Sequence, residues 1–387
     1  MSGAVEQLRH TYANRDEAAR AWKAKGGKVV GYFEDNVPEE LIIAAGYMPY
    51  RISGDPHQPR DTLKQYLYPY WKKHGLSDRQ VYLGFTMSML DLIFRGRYDF
   101  VDHLVIPFSR KGVLAYWYQL SAAKEHHPDL NIPTFWFLDR AITPGFDSSM
   151  FNAARVVGLK EQLETWSGKP IATAAVAEAI TLTNAIREAL ARLKALRVEG
   201  RVSGTDALAL IGAGKMTPPA DYLALLDAAN AELATAPVRA GKRIFLAGSP
   251  QDNDQLYRLI EADGTTIVGE NHYWGNPGGE YPVDTEMDPL VAVGDMYHKK
   301  PASVLYPIQA QIDLTVKRAT EVKADGVIVS IYDHDNLEIW LVPDTIDALK
   351  EVGLETLYLS QQPYLIEDPA AITAQVQPFI ASLGGAK

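Results

Sequence analysis

The sequence predicts an α/β protein in which two lobes, each with a doubly wound parallel sheet, are joined by a helical insert. Three observations predict this class. Short apolar runs alternate with longer amphipathic runs near both ends of the chain, as parallel strands alternate with their connecting helices. The middle of the chain carries long helical patterns and no strand signal. The length of 387 residues suits two to three domains, which we expect at residues 1–155, 156–240 and 241–387.

The first lobe contains runs with the β-branched or aromatic composition of buried strands, each bounded by Gly, Pro, Asp or Asn. These runs are Lys28–Phe33, Met48–Ser53, Gln80–Phe85, His103–Phe108 and Pro133–Leu138. The segments between them fit amphipathic helices at about 37–46, 60–74, 87–96 and 110–126. This alternation favours a parallel sheet with helices on both faces.

The middle region, from about residue 156 to 236, is predicted to be helical. Apolar residues recur there at helical spacing, most clearly in the run Ala172–Val198. Gly200 and the pair Pro218-Pro219 mark breaks between the helices. We expect this insert to connect the two lobes and to leave a cleft between them.

The last lobe repeats the pattern of the first. Its strand candidates are Arg243–Ala247, Thr265–Val268, Gly326–Ile331 and Thr356–Leu359. Helices fit at about 252–262, 302–323, 344–352 and 368–383. The sequence therefore predicts a second doubly wound sheet.

Charge and cysteine content exclude several classes of function. The chain has 38 Lys and Arg against 48 Asp and Glu, and the net charge of −10 opposes binding to nucleic acid. It contains no cysteine, which excludes disulfides, zinc ribbons and cysteine-ligated iron–sulfur clusters on this chain. The N-terminal run is charged without an apolar signal core, and no apolar stretch is long enough to cross a membrane. We expect a cytoplasmic protein with no nucleic-acid or membrane partner.

Candidate catalytic residues follow the ends of predicted strands, where doubly wound sheets bind ligands. Asp35 follows the first strand, and Asp333, His334 and Asp335 follow GVIVSIY. Such side chains transfer protons or bind a divalent cation, but an Asx-rich turn that caps the next helix also explains the second group. We assign no metal site. Glu39-Glu40 fall in the first turn of a predicted helix, where the helix dipole alone explains negative charge.

Candidate binding residues come from two further loops. The segment after TTIV contributes His272, Tyr273, Trp274 and Asn276, a composition typical of loops that line a pocket. A packed surface loop is the alternative. Arg110-Lys111 follow HLVIPF and could hold a phosphate at a helix N-terminus, or lie on the surface as ordinary charges.

Taken in order, several segments resemble the 2-hydroxyacyl-CoA dehydratase/benzoyl-CoA reductase family, of the D-component type. The segments that carry the resemblance are 28–54, 90–107, 159–171, 202–208, 248–275 and 323–336, so it covers most of the chain. The resemblance implies two flavodoxin-like, Rossmann-like lobes with a helical region between them. It also implies a heterodimer that acts as a lyase or reductase in anaerobic aromatic metabolism.

The chemistry of that family implies reduction of a coenzyme A thioester through a [4Fe–4S] cluster that an ATP-hydrolysing activator supplies with electrons. The family's cluster cysteines lie near three strand ends. Those places correspond here to Leu83 or its neighbours, Arg110, and Tyr332 or Asp333. Because the chain has no cysteine, it lacks the thiolates that hold such a cluster, and we expect large side chains to fill that space.

Three functions remain open. We favour a cluster-free subunit that shapes the acyl-CoA site or docks the activator, while a paralogous cysteine-bearing subunit holds any [4Fe–4S] cluster. The second is a redox-neutral acyl-CoA lyase, hydratase, isomerase or mutase-type enzyme with Asp333-His334-Asp335 as its acid and base. The third is a non-catalytic structural subunit. On the first function, Arg51, Arg110 and Lys111 are candidates for the phosphates of coenzyme A.

The aromatic residues near the expected cleft favour an aromatic or bulky acyl group, because such a group stacks against rings. These residues are Phe33, Tyr47, Tyr50, Phe85, Tyr273 and Trp274.

Overall fold

The computed structural model describes residues 3–384 except 59–60, 74–83, 109–110, 144, 276–280 and 301–306. In the first lobe, the elements are α1 Ala4–Ala13, α2 Glu17–Ala24, β1 Lys28–Tyr32, α3 Glu39–Ala44, β2 Tyr47–Arg51, α4 Asp61–Lys73, α5 Gly84–Phe94, β3 His103–Pro107, α6 Lys111–His126 and β4 Thr134–Leu138. The helical region contains α7 Phe146–Ser167, α8 Thr173–Val198, α9 Gly204–Ala213 and α10 Pro219–Ala234.

The last lobe begins at β5. Its elements are β5 Arg243–Gly248, α11 Gln255–Ile260, β6 Thr266–Asn271, α12 Pro289–Lys299, α13 Ile308–Glu321, β7 Gly326–Tyr332, a 3-10 turn Glu338–Trp340, α14 Val342–Glu351, β8 Glu355–Gln362 and α15 Pro369–Ser382. Within the part of the chain that the structure describes, no helix is long and apolar enough to cross a membrane.

Each lobe has a four-stranded parallel sheet, and the two sheets have the same topology. The strand orders are β2-β1-β3-β4 and β6-β5-β7-β8, and every pairing is parallel. In each sheet the chain order reverses beside the first strand, so the switch points lie at β1/β3 and β5/β7. The predicted fold class of two doubly wound α/β lobes is confirmed. Carboxyl ends at a switch point are where such sheets bind ligands.

Local sequence accounts for several of these elements. The central strand β7 (GVIVSIY) is buried along its whole length, as expected for a parallel strand covered on both faces. Helices α9, α12 and α15 are capped by the residues just before them, Ser203, Asp288 and Asp368, whose side chains accept hydrogen bonds from backbone N–H groups of the first turn. A proline at the first position of α12 and α15 also favours a helix start.

The structure corrects two expectations about the elements. The predicted strand Gln80–Phe85 lies mostly outside the described residues, and its last two residues begin helix α5 instead. Every residue of α5 from Phe85 to Phe94 is buried, and a short apolar run does not distinguish a buried helix from a buried strand.

Helix α12 was not predicted. Helix α7 crosses the expected boundary at residues 155 and 156, and the domain boundaries stay a prediction.

Gly248 lies at the carboxyl end of β5, where the backbone requires a residue without a side chain. Its φ is +108°, and a Cβ atom there would be 2.3 Å from the carbonyl oxygen of Ser330. We expect Gly248→Ala to lower the free energy of unfolding by about 2 kcal/mol through strain, measured by urea unfolding. Gly353→Ala is the matched control, because φ is +81° there but no atom lies within 4 Å. Equal losses in the two variants would contradict the steric argument.

Candidate functional site

A cavity of about 160 Å³ lies where the carboxyl ends of the two sheets face each other. The first lobe contributes the segment after β1 and the end of β2. The last lobe contributes the ends of β5, β6 and β7, together with α13 and the start of α14, and helix α8 closes the remaining side. The cavity therefore lies at the switch point β5/β7 of the second sheet and at the carboxyl ends of β1 and β2 of the first.

Four of the predicted site residues line this cavity. They are Asp35, Arg51, His272 and Tyr273. Arg51 and the loop after β6, which are far apart in sequence, meet at this cavity. Arg51 Nη1 donates a hydrogen bond of 3.2 Å to the Tyr273 carbonyl oxygen, across 222 residues of sequence.

The segment after β1 also contributes Glu39 to the cavity. Glu39 accepts a hydrogen bond of 3.0 Å from Lys215 Nζ and another from the Tyr32 hydroxyl. Burial raises the pKa of Glu39, but the Lys215 ammonium and the Tyr32 hydrogen bond outweigh burial, so that the pKa is lowered from its ordinary value. Glu39 is therefore a carboxylate at neutral pH.

Glu40 and Asp35 are each beside a cation as well. Glu40 Oε1 accepts hydrogen bonds from Thr183 Oγ1 at 3.1 Å and from Arg187 Nη2. Lys300 Nζ donates to the carbonyl oxygen of Asp35 at 2.8 Å and lies 3.8 Å from Asp35 Oδ2. The dipole explanation for Glu39 and Glu40 is therefore incomplete, since both carboxylates are ion-paired with distant parts of the chain.

Burial leaves some of these polar atoms without hydrogen-bond partners. Asp35 Oδ1 and Glu40 Oε2 are buried and have no partner among the described residues. A buried acceptor that no donor satisfies costs about 1–3 kcal/mol. In a cavity wall, such atoms are places where the hydroxyl or amide of a ligand can donate a hydrogen bond.

Lys300 lies beside Asp35, with its side chain 18% exposed. Burial lowers its pKa from the ordinary value, the nearby Lys215 charge lowers it further, and Asp35 opposes both. A lysine with a lowered pKa exchanges its proton more easily near neutral pH.

Both ring nitrogens of His272 contact buried groups of the protein and not the cavity. Its Nδ1 accepts a hydrogen bond of 3.2 Å from the Gly275 N–H, so Nε2 carries the proton in the neutral ring. That Nε2 lies 3.0 Å from Glu270 Oε2 and 2.9 Å from the Tyr257 hydroxyl. Glu270 Oε1 in turn accepts from Arg197 Nη1 at 2.7 Å. We interpret His272 as a positioning residue for the loop after β6.

The structure places the Asp333–Asp335 turn away from the cavity lining. The side chains of Asp333 and His334 are 54% and 44% exposed and lie 3.2 Å from each other. Asp335 is buried, where it accepts a hydrogen bond of 2.7 Å from Ser249 Oγ. The geometry fits the turn interpretation of this segment, and its catalytic role stays a prediction.

Among the other predicted residues whose side chains the structure describes, Trp274 does not line the cavity. Trp274 is buried and donates from Nε1 to the Tyr12 hydroxyl at 2.9 Å. Arg110, Asn276 and Leu83 lie outside the described residues, and the structure describes the backbone of Lys111 in α6 but not its side chain. Several ionisable residues of the lining were not predicted, because helices and loops remote in sequence bring them in. These are Arg187, Lys215, Lys300 and Arg318.

The aromatic residues of the cavity are mostly not the ones expected. Of the aromatic residues named above, Tyr273 lines the cavity, together with Tyr32, Tyr281 and Tyr297. Phe33 instead stacks on Tyr116, and Tyr50 packs edge-on against Phe100. These rings belong to the core of the first lobe because the faces of a parallel sheet need large apolar side chains beneath the helices.

The residues present do not fit a cysteine-held iron–sulfur cluster. The chain has no cysteine, and among the described residues no group of three His, Asp or Glu side chains could hold a metal ion. Tyr332, at one of the places implied for the cluster, is 4% exposed. Its hydroxyl donates to Gln251 at 2.9 Å and its ring packs edge-on against Tyr364. The Tyr332 side chain is therefore packed in the core, and its correspondence to a cluster position stays a prediction.

Comparisons with known proteins find a matching family model and two related enzyme subunits. The family model described as "2-hydroxyglutaryl-CoA dehydratase, D-component" matches residues 36–383. One of the subunits of benzoyl-CoA reductase from Thauera aromatica is 26% identical over 284 residues, which cover 70% of this chain and 69% of that protein. The beta subunit of (R)-2-hydroxyglutaryl-CoA dehydratase of Acidaminococcus fermentans is 22% identical over 359 residues, which cover 90% of this chain and 91% of that protein.

Proposed function

Because the chain belongs to the family of the 2-hydroxyglutaryl-CoA dehydratase D-component, and is thus a component of a dehydratase- or reductase-like enzyme, we propose that its inter-lobe cavity holds the acyl group of a coenzyme A thioester. The observation that carries this proposal is the cavity itself. It lies at the switch point of the second sheet and at the carboxyl ends of β1 and β2, and it contains buried polar atoms that no residue of the described chain satisfies.

The size of the cavity supports an acyl group rather than the whole coenzyme. A cavity of about 150 Å³ holds one benzene molecule, and this cavity has about 160 Å³. A short acyl chain or a single ring therefore fits, whereas the nucleotide and pantetheine arm of coenzyme A are far larger and must lie outside it.

The ionisable groups of the lining support a role in binding and proton transfer. Asp35 Oδ1 and Glu40 Oε2 can each accept a hydrogen bond from a hydroxyl on the acyl group. Lys300, next to Asp35, can hold or release a proton at Nζ, since burial lowers its pKa. A hydroxyl that leaves the acyl group requires a proton, and in this proposal the Asp35–Lys300 pair donates it.

The electron-transfer part of such an enzyme belongs, in this proposal, to another chain. A paralogous cysteine-bearing subunit holds any [4Fe–4S] cluster, and an ATP-dependent activator supplies it. The complete lack of cysteine in this chain supports that division, and the two relatives above are both named as subunits. Purification of the complex through a tag on this chain, without oxygen, should yield about four irons per complex. An intact complex without iron would favour the redox-neutral alternative.

Replacing Asp35 tests the acyl site directly. We expect Asp35→Asn to weaken binding of an acyl-CoA by about fivefold to tenfold, because one buried acceptor becomes a donor. Isothermal titration of the tagged complex with a 2-hydroxyacyl-CoA measures the change.

Asp333→Asn is the matched control for Asp35→Asn, since Asp333 is an exposed aspartate outside the lining. It should leave the dissociation constant unchanged. Loss of turnover in Asp333→Asn alone would instead favour the redox-neutral enzyme with its acid and base in that turn. No binding of any acyl-CoA by the intact complex would favour a structural subunit.

A further inference from the structure

We propose that Lys300 is a modification site, at which the side-chain amine attacks the thioester held by the cavity and becomes acylated at Nζ. The inference rests on the proposed acyl site and adds a covalent reaction of the bound acyl group with this chain. It begins from two lysines of the lining, Lys215 and Lys300, which face the same cavity but contact different groups.

The two lysines differ in the acceptors of their Nζ atoms. Lys215 Nζ donates to Glu39 Oε1 at 3.0 Å, in an ion pair that requires the ammonium form. Lys300 Nζ donates at 2.8 Å to the carbonyl oxygen of Asp35, which is a neutral acceptor, and lies 3.8 Å from Asp35 Oδ2, beyond hydrogen-bond distance. Because a carbonyl oxygen also accepts from an uncharged amine, the hydrogen bond of Lys300 does not require the ammonium form.

The surroundings of Lys300 favour the uncharged amine. Burial lowers the pKa of Lys300 from its ordinary value, the Asp35 and Glu39 carboxylates oppose burial, and the Lys215 and Arg187 charges add to it. Desolvation and a neighbouring cation are two of the ways in which a protein turns a lysine into a nucleophile. Both act on Lys300.

The backbone of Lys300 is held by the first lobe. Arg140, which follows β4, donates from Nη2 to the carbonyl oxygens of Lys300 at 2.8 Å and of His298 at 3.3 Å. Arg140 Nη1 also donates to Asn36 Oδ1 at 3.3 Å, which ties the end of α12 to the segment after β1. An amine fixed beside a bound thioester reacts as an intramolecular group, with a far higher effective concentration than a free reagent.

The position of Lys300 suits attack on the thioester carbon. With the acyl group inside the cavity and the pantetheine arm outside, the thioester lies between them, along the more exposed part of the lining. The Lys300 side chain belongs to that part, since it is 18% exposed, whereas the Glu40 side chain and Arg51 are 1% exposed.

The step requires no cofactor or second reagent. The lone pair of Nζ attacks the carbonyl carbon of the thioester, the bond between that carbon and sulfur breaks, and an amide bond to Nζ forms. The proton that the nitrogen loses goes to the departing thiolate, which leaves as free coenzyme A. Acylation removes the charge of Lys300 and occupies the cavity, so it blocks both the binding of a further acyl group and the proton transfer of the Asp35–Lys300 pair.

The test incubates the tagged complex with butanoyl-CoA and maps the acylated peptides by mass spectrometry. The butanoyl chain is short enough for the cavity and has no hydroxyl to lose. We expect Lys300 to gain the butanoyl group about tenfold faster than Lys215 or Lys299, because each unit by which a pKa falls gives about tenfold more uncharged amine. Lys215 controls for entry into the cavity. Lys299, the preceding residue, is 67% exposed and paired with Asp295, and it controls for reaction at the surface.

Lys300→Arg is the matched variant, because arginine keeps the positive charge and has no nucleophilic amine. Acylation at position 300 should be lost, while Lys299 should react at the same rate as in the unaltered complex. Transfer of the fast acylation from Lys300 to Lys215 in this variant would show that the cavity alone, and not the contacts of Lys300, governs the reaction, and would overturn the inference.

Isothermal titration of the same complex with butanoyl-CoA separates failure of the inference from failure of the proposed function. If butanoyl-CoA binds but Lys300 stays unmodified, or reacts no faster than Lys299, the inference is wrong and the acyl site stands. If butanoyl-CoA neither binds nor acylates Lys300, the proposed function is overturned together with the inference. Mapping the unaltered complex requires no variant, so a misfolded Lys300→Arg variant does not prevent a result.

Discussion

Replacing Glu270 by glutamine should lower the free energy of unfolding by about 3–5 kcal/mol, which is the cost of breaking a buried ion pair. The Glu270 side chain is 1% exposed and its Oε1 lies 2.7 Å from Nη1 of Arg197, which is 5% exposed. Its Oε2 accepts from the Tyr257 hydroxyl and from His272. Glutamine would leave Arg197 as a buried charge without a counter-ion. Urea unfolding at neutral pH measures the loss.

Asp227→Asn is the matched control for Glu270→Gln. Asp227 and Arg192 form an ion pair of similar length, 2.6 Å, but their side chains are 51% and 53% exposed. Exposed pairs contribute about 0–1 kcal/mol, so the control variant should unfold almost as the unaltered chain does. A comparable loss in both variants would mean that burial does not govern the Glu270 pair.

The effect of Glu270 should also depend on pH. Burial raises the pKa of this carboxyl, but Arg197 and His272 outweigh burial and lower the pKa from 4.5 to about 2. Between these two values the unfolded chain binds a proton that the folded chain does not, so stability rises with pH. The stabilising contribution is complete above pH 4.5 and disappears as the pH falls to about 2. The difference between Glu270→Gln and the unaltered chain should therefore shrink across this interval.

Replacing Asp252 by alanine should be about as damaging, at roughly 3–5 kcal/mol, because this carboxylate joins the two lobes. Asp252 is 0% exposed. Oδ2 accepts from the Gly54 N–H of the first lobe at 2.9 Å, and the Tyr364 hydroxyl of the last lobe donates to both oxygens at 2.8 and 3.0 Å. Arg15 Nη1 lies 3.9 Å from Oδ2. Alanine would leave donors from both lobes without their acceptor.

Two further variants separate the causes of the Asp252 effect. Asp254→Ala, two residues along, removes an aspartate whose side chain is 35% exposed and paired with a largely exposed Arg258. It should change stability by less than about 1 kcal/mol. Because burial raises the pKa of Asp252, its ionised form is costly in the folded chain. Asp252→Asn should therefore be milder than Asp252→Ala, and the reverse order would contradict the hydrogen-bond argument.

The two sheets could be predicted from the sequence because their signal is local. Runs such as KVVGYF and GVIVSI are β-branched, apolar and bounded by turn residues, and those properties depend on near neighbours alone. The same locality explains the error at Gly84-Phe85, where a fully buried helix has the composition of a strand. Asp35 and the loop from His272 could likewise be chosen from their positions after strands.

The ion pairs of the cavity could not be predicted in the same way. Glu40 and Arg187 are 147 residues apart, and Lys300 lies 265 residues from Asp35. Each pairing depends on how the helical region and the last lobe pack against the first. A single sequence carries no signal for such long-range contacts. At that stage the helix dipole was enough to explain why Glu39 and Glu40 carry negative charge at the start of a helix.

The sequence by itself determined the alternation of strands and helices, the resemblance to a family, and the lack of thiolate ligands, because each follows from residue types in local order. Only the tertiary structure decided which polar groups face one cavity and which of their atoms stay unsatisfied. Packing determines this, because on an exposed strand the N–H groups of Arg51 would donate hydrogen bonds to water. Buried at the end of β2, it keeps one edge of donors without an acceptor among the described residues, and this makes it a candidate for recognising the ligand.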